Sequence, residues 1–194
     1  MKHFSEITAS AERIVDAAEG LIQAVGYNGF SYEDVARIVG IRKPSIHHHF
    51  PSKVDLAVVV AQRYSARFEA HLAEIIAHEK LAPSRLHAYA NLFVATYAQD
   101  RRLCICGMLG AEADSLPPQV MDEVKHFFDV NLKWLASVLK AGVAEGSLKL
   151  TLPTDNMAEL FLSALEGSML VGRGRQSSKG PQNYAKSLLA LIKV

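Results

Sequence analysis

Apolar residues recur along most of this chain at the three- and four-residue spacing of amphipathic helices. No segment shows the alternation of apolar and polar residues that indicates a half-buried strand. Glycine and proline interrupt the pattern repeatedly, as they do at the ends of helices. The pattern predicts an all-α fold, with helices at about residues 8–25, 31–39, 42–50, 52–78, 83–97, 104–113, 118–146, 157–168 and 185–192.

Two short helices joined by a tight turn are predicted near the start of the chain. Ser31 and Asp34 have the spacing of a capping box, and Gly40 is placed to end the helix that they begin. Pro44 fits the first turn of a second helix, where proline costs little, and Pro51 ends that helix. Such a pair indicates a helix-turn-helix, whose second helix can enter the major groove of DNA.

The apolar positions also predict which side of each helix faces the core. A second capping box, Ser52 with Asp55, begins the long helix that follows the pair. We expect the first helix to bury Ile14, Ala18, Leu21, Ile22 and Val25, and the second to bury Val35, Ala36, Ile38 and Val39.

The outer side of the second short helix is polar and basic. At about 100° per residue, Ile46 and Phe50 share one side and face the core. No acidic residue occurs from Arg37 to Val54, and a local positive field of that kind suits phosphate. A solvated helix hairpin is the alternative, which the basic window and the paired capping boxes disfavour. The predicted DNA contacts are Ser31, Tyr32, Arg42, Lys43, Pro44, Ser45, His47, His48 and Lys53.

The three consecutive histidines suggest a metal site, but their spacing disfavours it. Adjacent helical residues point about 100° apart, so His47, His48 and His49 do not converge on one ion. A helical metal pair needs a spacing of three or four residues. We therefore predict no metal ligand here, and expect His49 to be a hydrogen-bonded structural residue.

The segment IRKPSIHHHFPSKVDL, with AERIVDAAEGLIQAVGYNGFSYEDVARIVG before it, resembles the TetR family of bacterial transcriptional regulators. The specific resemblance covers about residues 8–60. It implies a dimeric DNA-binding protein whose carboxy-terminal domain senses a small molecule. Arg42 stands where the family usually has a serine or threonine cap, and His47 where it usually has tyrosine. We place a helix-turn-helix DNA-binding domain at residues 1–51 and a larger helical effector-binding and dimerisation domain at 52–194.

The last two helices have a periodic apolar face that could be an intramolecular core or a contact with a second chain. The resemblance favours a four-helix dimer interface, and a dimer would present two recognition helices to a palindromic operator. The predicted interface residues are Met157, Leu160, Phe161, Ala164, Leu165, Ser168, Leu188 and Ile192.

The middle helices carry aromatic residues that could line an apolar effector cavity or simply form core. Cys106 is a further candidate, because Arg101 and Arg102 lie just upstream and nearby cations favour a reactive thiolate. A buried, inert cysteine is the alternative. The predicted effector-binding residues are Tyr64, Phe68, Tyr89, Phe93, Tyr97, Cys106, Met108, Phe127 and Trp134.

Composition limits the possible functions. The 194 residues are 49% hydrophobic and 21% charged with a net charge of +1, which favours a folded protein whose DNA binding depends on a local basic patch. The sequence predicts no membrane span, no signal peptide, no cofactor and no enzymatic motif, and two CxC-spaced cysteines suit a reducing cytoplasm. We predict a repressor that a small-molecule effector releases from its operator. The alternative is a helical carrier or scavenger of small hydrophobic molecules with a non-functional helix-turn-helix.

Overall fold

The computed structural model describes residues 3–192, and within that range it is helical with no β-strand. The predicted all-α class is therefore confirmed. Two 3₁₀ turns, Phe4–Glu6 and Ala113–Ser115, accompany the α-helices. These helices are α1 (Ala9–Val25), α2 (Tyr32–Val39), α3 (Lys43–His49), α4 (Lys53–His78), α5 (Ala82–Ala98), α6 (Ile105–Gly110), α7 (Pro118–Ala144), α8 (Thr154–Gly174) and α9 (Gln182–Ile192).

Both predicted capping boxes form at the starts of their helices. The backbone N–H of Ser31 donates to Asp34 Oδ2 at 2.9 Å, and the N–H of Asp34 donates to Ser31 Oγ at 3.4 Å. Ser52 and Asp55 exchange the same two bonds at 3.0 and 3.1 Å. Gly40 ends α2 at φ 74° and ψ 34°, a left-handed conformation that glycine adopts without a steric cost.

The chain divides into two compact units. The first runs to Arg67 and includes Ile105–Phe127; the second comprises Phe68–Cys104 and the chain from Phe128 onward. These units describe packing and cut the chain at other positions than the predicted domain boundary after residue 51. The boundary after residue 51 therefore stays a prediction about function. The outer ends of the two predicted domains, residues 1 and 194, lie outside the described residues.

In the first unit, α1, α2 and α3 pack around one apolar centre. Ile14 and Ile22 of α1, Val35 of α2 and Ile46 of α3 are completely buried. Arg63 of α4 forms ion pairs with Asp16 at 2.7 Å and Glu19 at 2.8 Å. These ion pairs join α1 to the start of the long helix α4.

In the second unit, α5 packs against α8 and α9. The Tyr97 hydroxyl at the end of α5 donates to the Ser177 carbonyl at 2.6 Å. A Cβ on Gly172 would lie 2.9 Å from that hydroxyl oxygen, and one on Gly180 would lie 2.4 Å from the Tyr97 ring. Tyr97 therefore fixes the connection between α8 and α9.

Two residues predicted to face the core are exposed. Ile38 is 59% exposed and Val25 is 50% exposed. In α2 the buried side is formed by Tyr32, Val35, Ala36 and Val39. Because Tyr32 belongs to the buried side of α2, the centre of that side is rotated away from Ile38. The prediction that Ile38 faces the core was therefore wrong.

Candidate nucleic-acid interface

The polar side of α3 points outward, as predicted. Ile46 is fully buried and Phe50 is 1% exposed, so they fix which side of the helix faces the core. Arg42 precedes the helix as its N-cap residue, is exposed, and makes no side-chain capping hydrogen bond. The exposed residues of α3 are Lys43, Pro44, Ser45, His47 and His48.

Each of the three histidines has a different environment. His47 Nδ1 lies 3.3 Å from the Pro51 carbonyl oxygen, which orients the ring at the end of α3. His48 is exposed, with its ring edge-on to that of His49 at 5.4 Å between centroids. His49 Nε2 lies 3.2 Å from Ser10 Oγ, which confirms the prediction of a hydrogen-bonded structural residue. Within residues 3–192 no group of three His, Cys, Asp or Glu side chains is arranged to hold a metal ion.

The basic window is partly neutralised by acids from the preceding helix. Lys43 Nζ donates to Glu33 Oε1 at 2.6 Å, and this hydrogen bond lowers the pKa of Glu33. Arg37 pairs with Asp34. No acidic residue occurs within this window of the sequence, but Glu33 and Asp34 lie beside its cations in the folded chain. Arg42 is consequently the cation in this window best placed to meet a phosphate.

Lys53 supports the fold here, in contrast to its predicted role as a phosphate contact. Its Nζ donates to the Phe30 carbonyl at 2.5 Å. It also lies 4.6 Å from the centre of the Tyr27 ring and 4.2 Å from that of Phe30. Burial lowers the pKa of Lys53. The ammonium group thus holds the loop between α1 and α2 onto α4.

Two further predicted contacts are engaged inside the protein. Tyr32 is 6% exposed and its hydroxyl donates to the Phe50 carbonyl at 2.9 Å, which joins the two helices of the pair. Its side chain is therefore removed from the contact set, because a core residue in this conformation does not reach DNA. Ser31 is exposed, but its hydroxyl donates to Asp34 Oδ2 at 2.7 Å.

A carboxylate far along the chain holds the loop between α1 and α2. Glu112 accepts the backbone N–H of Tyr27 at 2.5 Å and that of Asn28 at 3.1 Å. Gly26, at φ +78°, leaves room for this carboxylate, since a Cβ there would lie 2.7 Å from Glu112 Oε2. The Asn28 side chain also donates to Ser115 Oγ at 2.8 Å. Sequence reasoning missed this Glu112 clamp, because a contact across 85 positions leaves no local pattern.

Comparison with known proteins identifies the family. The model of bacterial regulatory proteins of the tetR family matches residues 14–60, and the tetracyclin repressor-like C-terminal domain matches residues 82–188. A TetR-family transcriptional regulator from Agrobacterium tumefaciens is 35% identical with a TM-score of 0.92, over 96% of this chain and 98% of that one. The chain belongs to the TetR family. It is a DNA-binding transcriptional regulator with a carboxy-terminal ligand-binding domain, and not an enzyme.

The chain is also similar to other bacterial transcriptional regulators. A regulator from Legionella pneumophila is 30% identical with a TM-score of 0.86, over 97% of this chain and all (100%) of that one. The HTH-type transcriptional repressor DhaR of Mycobacterium sp. (strain GP1) is 22% identical over 164 residues, which cover 84% of this chain and 82% of DhaR. These similarities favour a transcriptional regulator over the alternative that the sequence left open, a helical carrier or scavenger of small hydrophobic molecules. None of the helices in the described range is long and apolar enough to cross a membrane.

The predicted effector residues of this TetR-family chain fall in both packing units. Tyr64, Cys106, Met108 and Phe127 belong to the first unit. The second contains Phe68, Tyr89, Phe93, Tyr97 and Trp134. Cys106 is completely buried, and the Tyr97 hydroxyl already donates to the Ser177 carbonyl at the α8–α9 connection. Around Tyr89, four other rings have their centroids within 5.2–6.3 Å: those of Phe68, Phe93, Trp134 and Phe161.

Most of the predicted dimer residues are buried within a single chain. The exceptions are Leu160, which is 45% exposed, and Ala164, which is half-buried. A side chain already covered by its own chain offers little new surface to a second one, so the predicted face of α8 needs correction. The buried residues are Met157, Phe161, Leu165, Ser168, Leu188 and Ile192.

Proposed function

We propose that this regulator binds a palindromic operator as a homodimer and is released when an effector occupies its carboxy-terminal domain. The proposal that the protein binds an operator rests on the side chains exposed on the outer face of α3. It presents Pro44, Ser45, His47 and His48 beside the exposed cation Arg42. Short and planar polar side chains suit base edges, and the cation suits phosphate. In this proposal residues 1–51 bind DNA and residues 52–194 bind the effector and form the dimer.

The proposed dimer contact uses the outer side of α8 and α9. Leu160, Ala164, Gly167 and Val171 follow the spacing i, i+4, i+7 and i+11, so they form one stripe along α8. Val171 is 50% exposed, and a Cβ on Gly167 would meet nothing within 4 Å. Small residues in the middle of the stripe permit close helix approach. Exposed apolar side chains on α9, Tyr184 and Leu191, extend the surface.

A second copy of this chain is the occupant that this surface suits. A two-fold axis through the middle of the stripe would place the same residues opposite one another, as in an isologous contact. Dimerisation and effector release are typical of the family to which the chain belongs. Two recognition helices held by one dimer would then read two half-sites one helical turn apart.

The experiment that tests the DNA proposal is selection of bound duplexes from a random pool, followed by affinity measurement at several salt concentrations. Enrichment of a palindrome with half-sites centred about 10 base pairs apart is the expected result. An unenriched pool, or binding without salt dependence, would refute operator recognition.

The Arg42→Ala variant is expected to bind all duplexes more weakly. Loss of one phosphate contact should weaken binding to the selected operator and to an unrelated duplex by similar factors, and should reduce the slope of log K against log salt by about one unit. Fluorescence anisotropy over a salt series measures both effects. Lys140→Ala, which removes an exposed cation on α7, is the control and should change neither. A loss restricted to the operator would instead make Arg42 a base-reading residue.

The Gly167→Arg variant is expected to be a folded monomer. The position has open space within one chain, whereas an arginine would collide with an α8 helix packed against it. Loss of the paired half-sites should weaken operator binding by about 100-fold or more. Light scattering gives the mass, and circular dichroism gives the helix content. Glu159→Arg, on an exposed position of α8 away from the stripe, should remain dimeric. A dimeric Gly167→Arg protein would locate the interface elsewhere.

A further inference from the structure

The second unit contains a buried carboxyl group that is only partly satisfied. Glu166 of α8 is part-exposed as a residue, but its Oε1 atom is buried and has no hydrogen-bond partner within the described residues. Burial raises the pKa of Glu166 to about 7, and a hydrogen bond with the thiol of Cys104 acts in the opposite direction. One oxygen of this carboxyl group, Oε1, therefore lacks a cationic or donor partner within the described residues.

Tyr89 lies within the field of this carboxyl group, and other aromatic rings pack against Tyr89. Burial, followed by the charges of Glu166 and Cys104, raises the pKa of Tyr89, so the Tyr89 hydroxyl lies within the field of both. Trp134 stacks on Tyr89 with 5.2 Å between ring centres and 19° between planes. Phe93 lies 5.4 Å from Tyr89. A carboxylate near a cluster of aromatic rings attracts organic cations through charge and cation–π interactions together.

A second unsatisfied atom belongs to the same cluster. Trp134 Nε1 is buried and donates no hydrogen bond within residues 3–192. The Tyr89 hydroxyl, by contrast, already donates to Asn131 Oδ1 at 2.8 Å. Buried polar groups are almost always hydrogen-bonded, so two unpaired atoms in one cluster, an acceptor and a donor, indicate a ligand that supplies the missing partners.

We propose that Glu166, Tyr89 and Trp134 form an effector site for a small organic cation, a protonated amine on an apolar or aromatic frame. The ammonium group donates to Glu166 Oε1, the frame lies against the aromatic rings, and an acceptor atom of the ligand receives the Trp134 N–H. This inference rests on the proposed function, because it names the chemistry of the effector that the regulator responds to.

The test uses three probes of similar shape and different charge: 2-phenylethylamine, 2-phenylethanol and 3-phenylpropionate. Trp134 is the single tryptophan of the sequence, so its fluorescence reports directly on the site. At pH 8 the amine should bind at least about tenfold more tightly than the alcohol, since a hydrogen bond to a charged partner is the stronger one. The carboxylate should bind most weakly because it is repelled by Glu166.

Substitution at Glu166 separates this site from general hydrophobic binding. Glu166→Gln keeps the shape and removes the charge, so the affinity for the amine should fall about 10- to 100-fold while that for the alcohol stays within about twofold. Glu159→Gln, an exposed position on the same helix, should change neither affinity. Equal binding of amine and alcohol, unchanged amine affinity in Glu166→Gln, or no binding to the folded wild-type protein would each overturn the proposal.

DNA affinity measured on the same samples distinguishes this inference from the proposed function. Amine that binds at Glu166 and lowers operator affinity supports both. Operator binding that is insensitive to the amine overturns the effector site alone. Amine binding in a protein that binds no duplex overturns the proposed function and leaves the amine site standing as a binding site.

Discussion

Glu112→Ala is expected to lower the stability of the DNA-binding helices by about 2 kcal/mol, because two backbone N–H groups lose a charged acceptor. Each such bond contributes roughly 1.5–3 kcal/mol when buried, and less here, since the Asn28 N–H is exposed. For a chain of this length that corresponds to a fall in Tm of roughly 4–8 °C. Operator affinity should fall as well, because the loop that precedes α2 is no longer held.

Two further variants make the Glu112 result specific. Glu112→Gln retains one acceptor oxygen and should lose part of the stability. Asp114→Asn, an exposed acid in the adjacent 3₁₀ turn, should lose none. Thermal unfolding at one fixed protein concentration measures all three, since association shifts the apparent Tm. If Glu112→Ala unfolds at the temperature of Asp114→Asn, the carboxylate does not hold the loop in solution.

The helix boundaries were predictable because their signals are local. Ser31 and Ser52 cap their helices through side chains three residues away, and Gly40 ends α2 in a conformation that few other residues adopt. The exposed side of α3 was equally predictable. Ile46 and Phe50 lie four residues apart, so one buried pair determines the direction of all the others.

The roles of individual cations were not predictable from their order in the sequence. Lys43 and Lys53 both appeared as phosphate contacts, yet one pairs with Glu33 and the other with the Phe30 carbonyl. These partners are 10 and 23 positions away. Sequence spacing gives the charge of a window, whereas tertiary packing decides which charges remain available to DNA.

Periodicity also left the inner and outer sides of α8 undecided. Phe161 and Leu160 are adjacent and both apolar, but Phe161 is fully buried and Leu160 is 45% exposed. The helix is apolar on more than one side, so its pattern fits a core face and a partner face equally well. The sequence pattern also gave no indication that Glu166 is buried. A carboxylate beside an apolar stripe usually indicates solvent exposure, and here its oxygen is buried.

Glu166→Gln is expected to abolish a decline in stability between pH 5.5 and pH 8. Burial raises the pKa of Glu166 to about 7 in the folded chain, from its ordinary value of 4.5. Since the folded state holds this proton more tightly, its stabilising effect is complete below the unfolded pKa and disappears as pH rises through the folded pKa. From pH 5.5 to pH 8 the loss is about 2 kcal/mol, and the neutral amide at that position does not incur it.

Denaturant unfolding of both proteins at pH 5.5, 6.5 and 8.0 measures this difference. The quantity that tests the prediction is the free energy of unfolding of Glu166→Gln minus that of the wild type, which cancels the titration of histidines common to both. It should increase by about 2 kcal/mol across the series, with its steepest rise at or below pH 7. A protonated amine bound beside Glu166 would favour the ionised carboxylate, so saturating 2-phenylethylamine should reduce the increase. A difference that stays constant with pH would mean that the carboxyl group is solvated, and the buried acceptor on which the amine site depends would be absent.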